Sequence, residues 1–349
     1  MKQRLKFLLS GPGLIGKVHA RLLSERNDTE IAAIVAPITT ENKAFAENYG
    51  APLFSSIAEA VKHTDIDAAI ISSPNEFHYE QTSTCIEHGI PVLVEKPITS
   101  DLDSAKMLAD IATRSGVPVL VGHHRSHSTH LKTLNSFLNS KQFGKLVTVH
   151  GSALFLKPRH YFLEGKWRTL KGGGPILINL IHEVNFLRQT CGEIASIFAF
   201  ASHNIRNFEV EDTVSINLEF HSGALGTFVL SDAAASSKSW EMTSGENPAY
   251  PHFPKENCYH FSGTRGSLDF PSMEVRYYPS AENSSWWQPF QQEKLSAIRC
   301  DPLEGQLTHF VDVVRTGAAP EISPLDGFRN MEVIEAIRKS IQTRAVVEL

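Results

Sequence analysis

The stretch that most limits what this chain can become is LKFLLSGPGLIG at residues 5–16, an apolar run that closes on Gly11, Gly13 and Gly16 and opens the helical pattern LIGKVHARLLSE. A strand turning directly into a helix needs these glycines. Gly11 permits the tight turn, Gly13 lets phosphates approach the backbone, and Gly16 lets the helix pack closely on its strand. Unpaired N–H groups and the positive end of the helix dipole then face the bend, which suits a dinucleotide pyrophosphate held by Gly11, Pro12, Gly13, Leu14, Ile15 and Gly16. Further along, PVLVEKP at 91–97 reads as a buried strand that delivers Lys96 at its carboxyl end, where open parallel sheets bind ligands.

The 349 residues exceed one ordinary core and suit two domains of roughly 100–200 residues each. Apolar runs at Leu5–Leu9, Ile31–Val35, Ala68–Ile71, Pro91–Val94 and Pro118–Val121 alternate with helical segments, the pattern of βα units around a parallel sheet. Ser100, with Asp103 close behind it, is the expected N-cap of the helix after EKPIT. Beyond Gly122 the pattern changes. Residues 126–143 look helical, and alternating stretches then predict antiparallel strands, with hairpins at EFHSGALGTFVL and SGTRGSLDF. Two helices close the chain, with Leu307, Phe310 and Val314, then Phe328, Met331, Ile334, Ile337 and Ile341, at helical spacing. Residues 1–123 therefore read as a doubly wound parallel α/β domain of Rossmann type, and 124–349 as an α+β domain with helices on one side of a mostly antiparallel sheet.

A net charge of −5 without a concentrated basic face argues against a nucleic-acid partner. No apolar run approaches the ~18 residues of a membrane span, and the opening MKQRLKFLLSGPG breaks too early for a signal peptide. Cys85, Cys191, Cys258 and Cys300 lack metal or disulfide spacing, so a reducing cytoplasm is the expected setting. In a dinucleotide fold an acidic residue near the end of the second strand holds the adenosine ribose hydroxyls. Here Ala36 and Pro37 occupy that place, while Thr39, Thr40 and Lys43 can accommodate a 2′-phosphate, which leaves the cofactor as NAD or NADP.

Six motifs occur in order: GPGLIG at 11–16, SPNEFH at 73–78, EKP at 95–97, VGHHR at 121–125, KWR at 166–168 and GGGPILINLIHEVN at 172–185. Together they make the chain resemble the Gfo/Idh/MocA family of oxidoreductases over essentially its whole length. The resemblance implies a Rossmann domain followed by a domain with a large open sheet, whose outer face builds homodimers or homotetramers. It also implies hydride transfer between a nicotinamide and a secondary alcohol or ketone of a sugar, cyclitol or related polyol.

Lys96 matches the family's EKP lysine. An ammonium beside the substrate oxygen stabilises alkoxide character as hydride leaves, and burial can bring its pKa toward working pH. Glu95 is expected to orient Lys96 or the nicotinamide ribose. His182 matches the family histidine that positions substrate and shuttles the proton. The common form of that motif places an Asp four residues before this His and a Gly two before it, where this chain has Ile178 and Leu180. Asn179, at helical spacing from His182, is expected to share its face and orient the alcohol, although an uncharged amide cannot raise the His pKa as a carboxylate would.

Pro74, Asn75 and His78 are expected to flank the nicotinamide, with Asn75 also an N-cap. His123, His124 and Arg125 are placed at the mouth of the pocket between the domains, His124 and Arg125 toward substrate. The run His123, His124, His127, His130 contains no Asp or Glu, which argues against a metal. Trp167 and Arg168 are similar to a family pair that reaches the cofactor, with Arg on phosphate and Trp on the ring. Two rival readings are an enzyme whose nucleotide never dissociates and couples two substrates, and a cofactor-binding sensor without turnover. The missing Asp favours the sensor; the complete EKP and His182 argue against it.

Overall fold

The computed structural model describes residues 4–280, 282 and 284–349. The chain divides into two compact units, one of residues up to Ser126 with Leu303–Met331, the other of His127–Pro302 with Glu332–Leu349.

In the first unit β1 (Leu5–Ser10), β2 (Thr29–Val35), β3 (Leu53–Phe54), β4 (Ala68–Ile71), β5 (Val92–Glu95) and β6 (Val119–Gly122) pair in the order β3-β2-β1-β4-β5-β6, all parallel. Between them run α1 (Leu14–Glu25), α2 (Thr40–Asn48), α3 (Ile57–His63), α4 (His78–Glu87) and α5 (Leu102–Ser115). β4, β5 and β6 are buried along their whole length, as strands covered on both faces must be. The strand order reverses between β1 and β4, the place where such sheets open a crevice at their carboxyl ends. β3, a strand the sequence pattern does not show, has only Leu53 and Phe54, too few residues for any alternation. Asp101 rather than Ser100 caps α5: its carboxylate accepts from the Ser104 N–H at 2.9 Å, and the Ser100 hydroxyl donates to the same carboxylate at 3.1 Å. Asn75 is no helix cap either, because it opens a short 3₁₀ turn, Asn75–Phe77, that has no side-chain cap.

The second unit holds a nine-stranded sheet. Its strands are β7 (Leu146–Leu154), β8 (Ile194–Ser202), β9 (Thr213–Phe220), β10 (Leu225–Ser231), β11 (Tyr259–Gly263), β12 (Gly266–Phe270), β13 (Glu274–Tyr277), β14 (Gln291–Lys294) and β15 (Val347–Glu348). They run in the order β14-β13-β12-β11-β7-β10-β9-β8-β15, every pairing antiparallel except β7 with β10. Both expected hairpins form, the first around Gly223, whose φ of +82° supplies the left-handed turn. The unit also contains α6 (Thr129–Leu138), α7 (Arg159–Glu164), α8 (Ile181–Cys191) and α9 (Trp240–Ser244). α8 is fixed by Phe186, whose ring lies 4.6 Å from Tyr259, 5.2 Å from Phe270 and 5.3 Å from Trp240. Along β9 Val214, Ile216, Leu218 and Phe220 are buried while Ser215, Asn217 and Glu219 are exposed, so one sheet face is core and the other is open.

Two further helices follow, α10 (Pro302–Thr316) and α11 (Pro324–Thr343). Where the sequence places one boundary after residue 123, the contacts return Leu303–Met331 to the first unit. Phe310 meets Phe7 of β1 edge-on at 6.0 Å, Arg315 pairs with Asp28 at 2.8 Å, and the Val121 N–H donates to the Ile322 carbonyl at 2.9 Å.

Candidate active site

The glycine bend of the first unit is built as a cradle. Gly11 has φ +81°, and a Cβ there would fall 2.4 Å from the Ser73 nitrogen; one on Gly16 would fall 2.0 Å from the Gly11 carbonyl oxygen. Around Gly13, by contrast, nothing lies within 4 Å, so that face of the backbone is open to a ligand. Gly13 also stands at the N-cap of α1 with no side-chain cap, leaving the first N–H groups of the helix to an incoming anion. The Ser72 hydroxyl ties the turn by donating to the Ser10 and Gly11 carbonyls at 2.8 and 2.9 Å. A cavity of about 700 Å³ opens here, lined by Gly11, Pro12, Gly13, Ala36 and Pro74 among others. Leu14 and Ile15 follow on the first turn of α1, Leu14 projecting outward and Ile15 half-buried. The donors and the open backbone fit a dinucleotide, and Ala36, buried at the end of β2, offers no carboxylate to repel a 2′-phosphate.

Lys96, half-buried, follows the fully buried β5. Its neighbour Glu95 takes a 2.8 Å hydrogen bond from Nε2 of His19, a fully buried residue of α1. Burial alone would raise the Glu95 carboxyl, but the His19 bond and the charges of His19, Lys96 and His124 hold it below the ordinary range, so it stays an anion. His78 is buried, with Nδ1 and Nε2 each 2.9 Å from a carbonyl oxygen, those of Pro97 and Ser73. Desolvation lowers its pKa. It thus braces the lysine's strand end from within. His123 and Arg125 are buried and His124 half-buried, with Asn330 Nδ2 3.1 Å from His123 Nε2.

In the second unit Gly172 and Gly174, at φ +93° and +81°, lead into a π-helical turn over Ile176–Leu180 that passes into α8. Such wide turns concentrate at functional sites and alter which side chains share a face. Glu211 receives the Ile176 N–H at 2.9 Å, and burial raises its pKa. His182 is buried in the first turn of α8 and Asn179 half-buried in the π turn, with Ile178 beside it. The Asn179 amide oxygen accepts a 2.7 Å bond from Lys157 Nζ. Lys157 also lies 3.6 Å from Asp232, which pairs with Arg206 Nε at 2.8 Å. Trp167 is exposed, and Arg168 stacks 3.9 Å over the Tyr161 ring while donating to the Tyr161 carbonyl. His130 lies 3.2 Å from Glu246. Among the described residues no three His, Cys, Asp or Glu side chains gather to hold a metal ion.

Two participants escape the sequence reading, His19 and Lys157. The sequence does carry a trace of the second: FLKP at 155–158 repeats the strand–Lys–Pro grammar of VEKP at 94–97.

A parallel sheet with this strand order and an uncapped glycine cradle at its reversal point defines an NAD-binding Rossmann oxidoreductase. Residues 5–123 match the model of the oxidoreductase family with NAD-binding Rossmann fold, and 131–269 match the Gfo/Idh/MocA C-terminal domain. The chain belongs to the Gfo/Idh/MocA family. It is 24% identical over 338 residues to the rhizopine catabolism protein MocA of Rhizobium meliloti, covering 95% of this chain and 94% of that one. It is 23% identical over 362 residues to scyllo-inositol 2-dehydrogenase (NADP+) IolW of Bacillus subtilis strain 168, covering 99% and 96%. The aldose–aldose oxidoreductase of Caulobacter crescentus, solved with glycerol, has the same fold, with a TM-score of 0.78 at 20% identity over 99% of this chain and 100% of that one.

Proposed function

We propose that the chain transfers hydride between nicotinamide C4 of NAD or NADP and a secondary alcohol or ketone of a sugar, cyclitol or related polyol. One observation carries the reading: a buried strand sets Lys96 at the carboxyl edge of the same sheet whose β1 end forms the glycine cradle. Held by the Gly11–Gly16 bend, the nicotinamide would supply the hydride acceptor or donor. Lys96 holds its ammonium at the substrate oxygen and stabilises the negative charge that grows there as the C–H bond breaks. The Glu95 anion beside it favours the charged lysine. His182 takes the alcohol proton in oxidation and returns it in reduction, and Asn179 orients the substrate. Ile178 supplies no charge to that pair, so the proton relay through His182 works without a carboxylate at that position. Relatives named for inositol and aldose chemistry support the substrate class.

The four free thiols support a reducing cytoplasm as the place of action. The open outer face of the nine-stranded sheet, which exposes Val147, Phe200 and Leu225, supports a homodimer or homotetramer. A screen of sugars, cyclitols and polyols with both nucleotides tests the enzymatic reading. Cofactor reduction by at least one compound is expected, and a full panel without turnover, in either direction, would count against it.

A further inference from the structure

In the second unit two basic side chains share one carboxylate. Lys157 and Arg206 both pair with Asp232, while Arg159, Lys166 and Arg168 make no ion pair among the described residues. Arg206 joins two features. On one side it bonds Asp232 and the Lys157 carbonyl, the latter at 3.0 Å. On the other it lines, with Arg159 and Lys166, a cavity of about 610 Å³ whose remaining walls include Phe162 and Phe208. No carboxylate lines that cavity. Its size falls within the roughly 300–1,000 Å³ of small-molecule sites. Arg159 and Lys166 are exposed, but Lys157 and Arg206, 11% and 13% exposed, outnumber the one carboxylate between them, which is costly unless an anion balances them, and guanidinium forks match oxyanions. Burial and the neighbouring Arg206 and Arg168 already depress the Lys157 ammonium to about 8 despite Asp232.

Asn179 carries the same sign. An ammonium only donates, so the bond from Lys157 turns the amide oxygen of Asn179 toward that nitrogen and directs its N–H2 the other way. We propose that the polyol substrate bears an oxyanion, a carboxylate or a phosphate, seated in the cavity of Arg159, Lys166 and Arg206, with Lys157 as the positioning residue that fixes Asn179 as a hydrogen-bond donor. The proposal rests on the reading that Asn179 and His182 face substrate, and it names the class of that substrate.

The test is direct binding of gluconate, glucitol 6-phosphate and uncharged glucitol to the full-length protein loaded with NADH, by calorimetry. At least one of the two anions is expected to bind about tenfold or more tightly than glucitol, and which of them does so distinguishes carboxylate from phosphate. The double variant R159Q/K166Q should lose most of that preference while leaving the weak glucitol binding unchanged. Lys157→Met should weaken the anion further and Lys157→Arg restore part of it. Equal binding of all three compounds, or a parallel loss for anion and glucitol in R159Q/K166Q, overturns the proposal. Because binding is read without turnover, anion selectivity in a protein that oxidises nothing defeats the oxidoreductase reading alone. Turnover of neutral polyols without anion selectivity defeats this proposal alone.

Discussion

Lys96 and Lys157 each follow a strand and precede a proline, yet they sit among different charges. Lys96 lies beside the Glu95 anion, which His19 holds in place from α1. Lys157 shares Asp232 with Arg206 and has a second guanidinium, Arg168, acting against it. The first arrangement sets an anion beside the ammonium to which we assign the substrate oxygen. Lys96→Met should therefore keep nucleotide affinity, read by fluorescence titration, and lose about a hundredfold or more in kcat. Turnover close to that of the unaltered protein would remove Lys96 from its role. Lys96 was legible because an apolar strand runs straight into it and a proline follows. Lys157 was not, since its meaning depends on Asp232 and Arg206, which reach it from distant strands and loops. Nor could the sequence show the bonds of His78 to the Ser73 and Pro97 carbonyls, which come from residues on either side of α4 and β5.

Among the elements, the β1–α1 turn is the one whose detail the sequence reveals most fully, because each glycine answers to a local steric demand. The two kinds of demand can be separated. Gly16→Ala forces a Cβ to within 2.0 Å of the Gly11 carbonyl, so helix and strand must part, and both melting temperature and nucleotide affinity should fall. Gly13→Ala meets open space, so the melting temperature should hold while affinity drops by about tenfold, the new methyl occupying room meant for phosphate. A Gly13→Ala protein that binds NAD(P) normally would show that the pyrophosphate does not rest there. The π turn ahead of α8 was invisible by contrast. Residues 176–180 carry no signal that separates a π turn from an α turn, so the expectation that Asn179 and His182 share a face rested on ordinary helical spacing. β3 escaped through its brevity, and the α5 cap shifted by one residue because Asp101 can accept from both Ser100 and Ser104.

For the molecule as a whole, the division into a parallel and a mostly antiparallel sheet was readable from the change of pattern after Gly122. The open face of the second sheet leads us to expect a dimer or tetramer in solution, measured by light scattering; a monomer at micromolar concentration would argue against that face as an interface. The return of Leu303–Met331 to the first unit was not readable, because a helix's periodicity shows that it has an apolar side but not which sheet that side covers. That return has a consequence for biosynthesis. Phe7 and Val121 are translated long before their partners, Phe310 and the Ile322 carbonyl. The first sheet therefore stays without that cover until the two helices have been made, and a product halted before residue 303 should retain NAD(P) on an affinity resin less well than the full sequence.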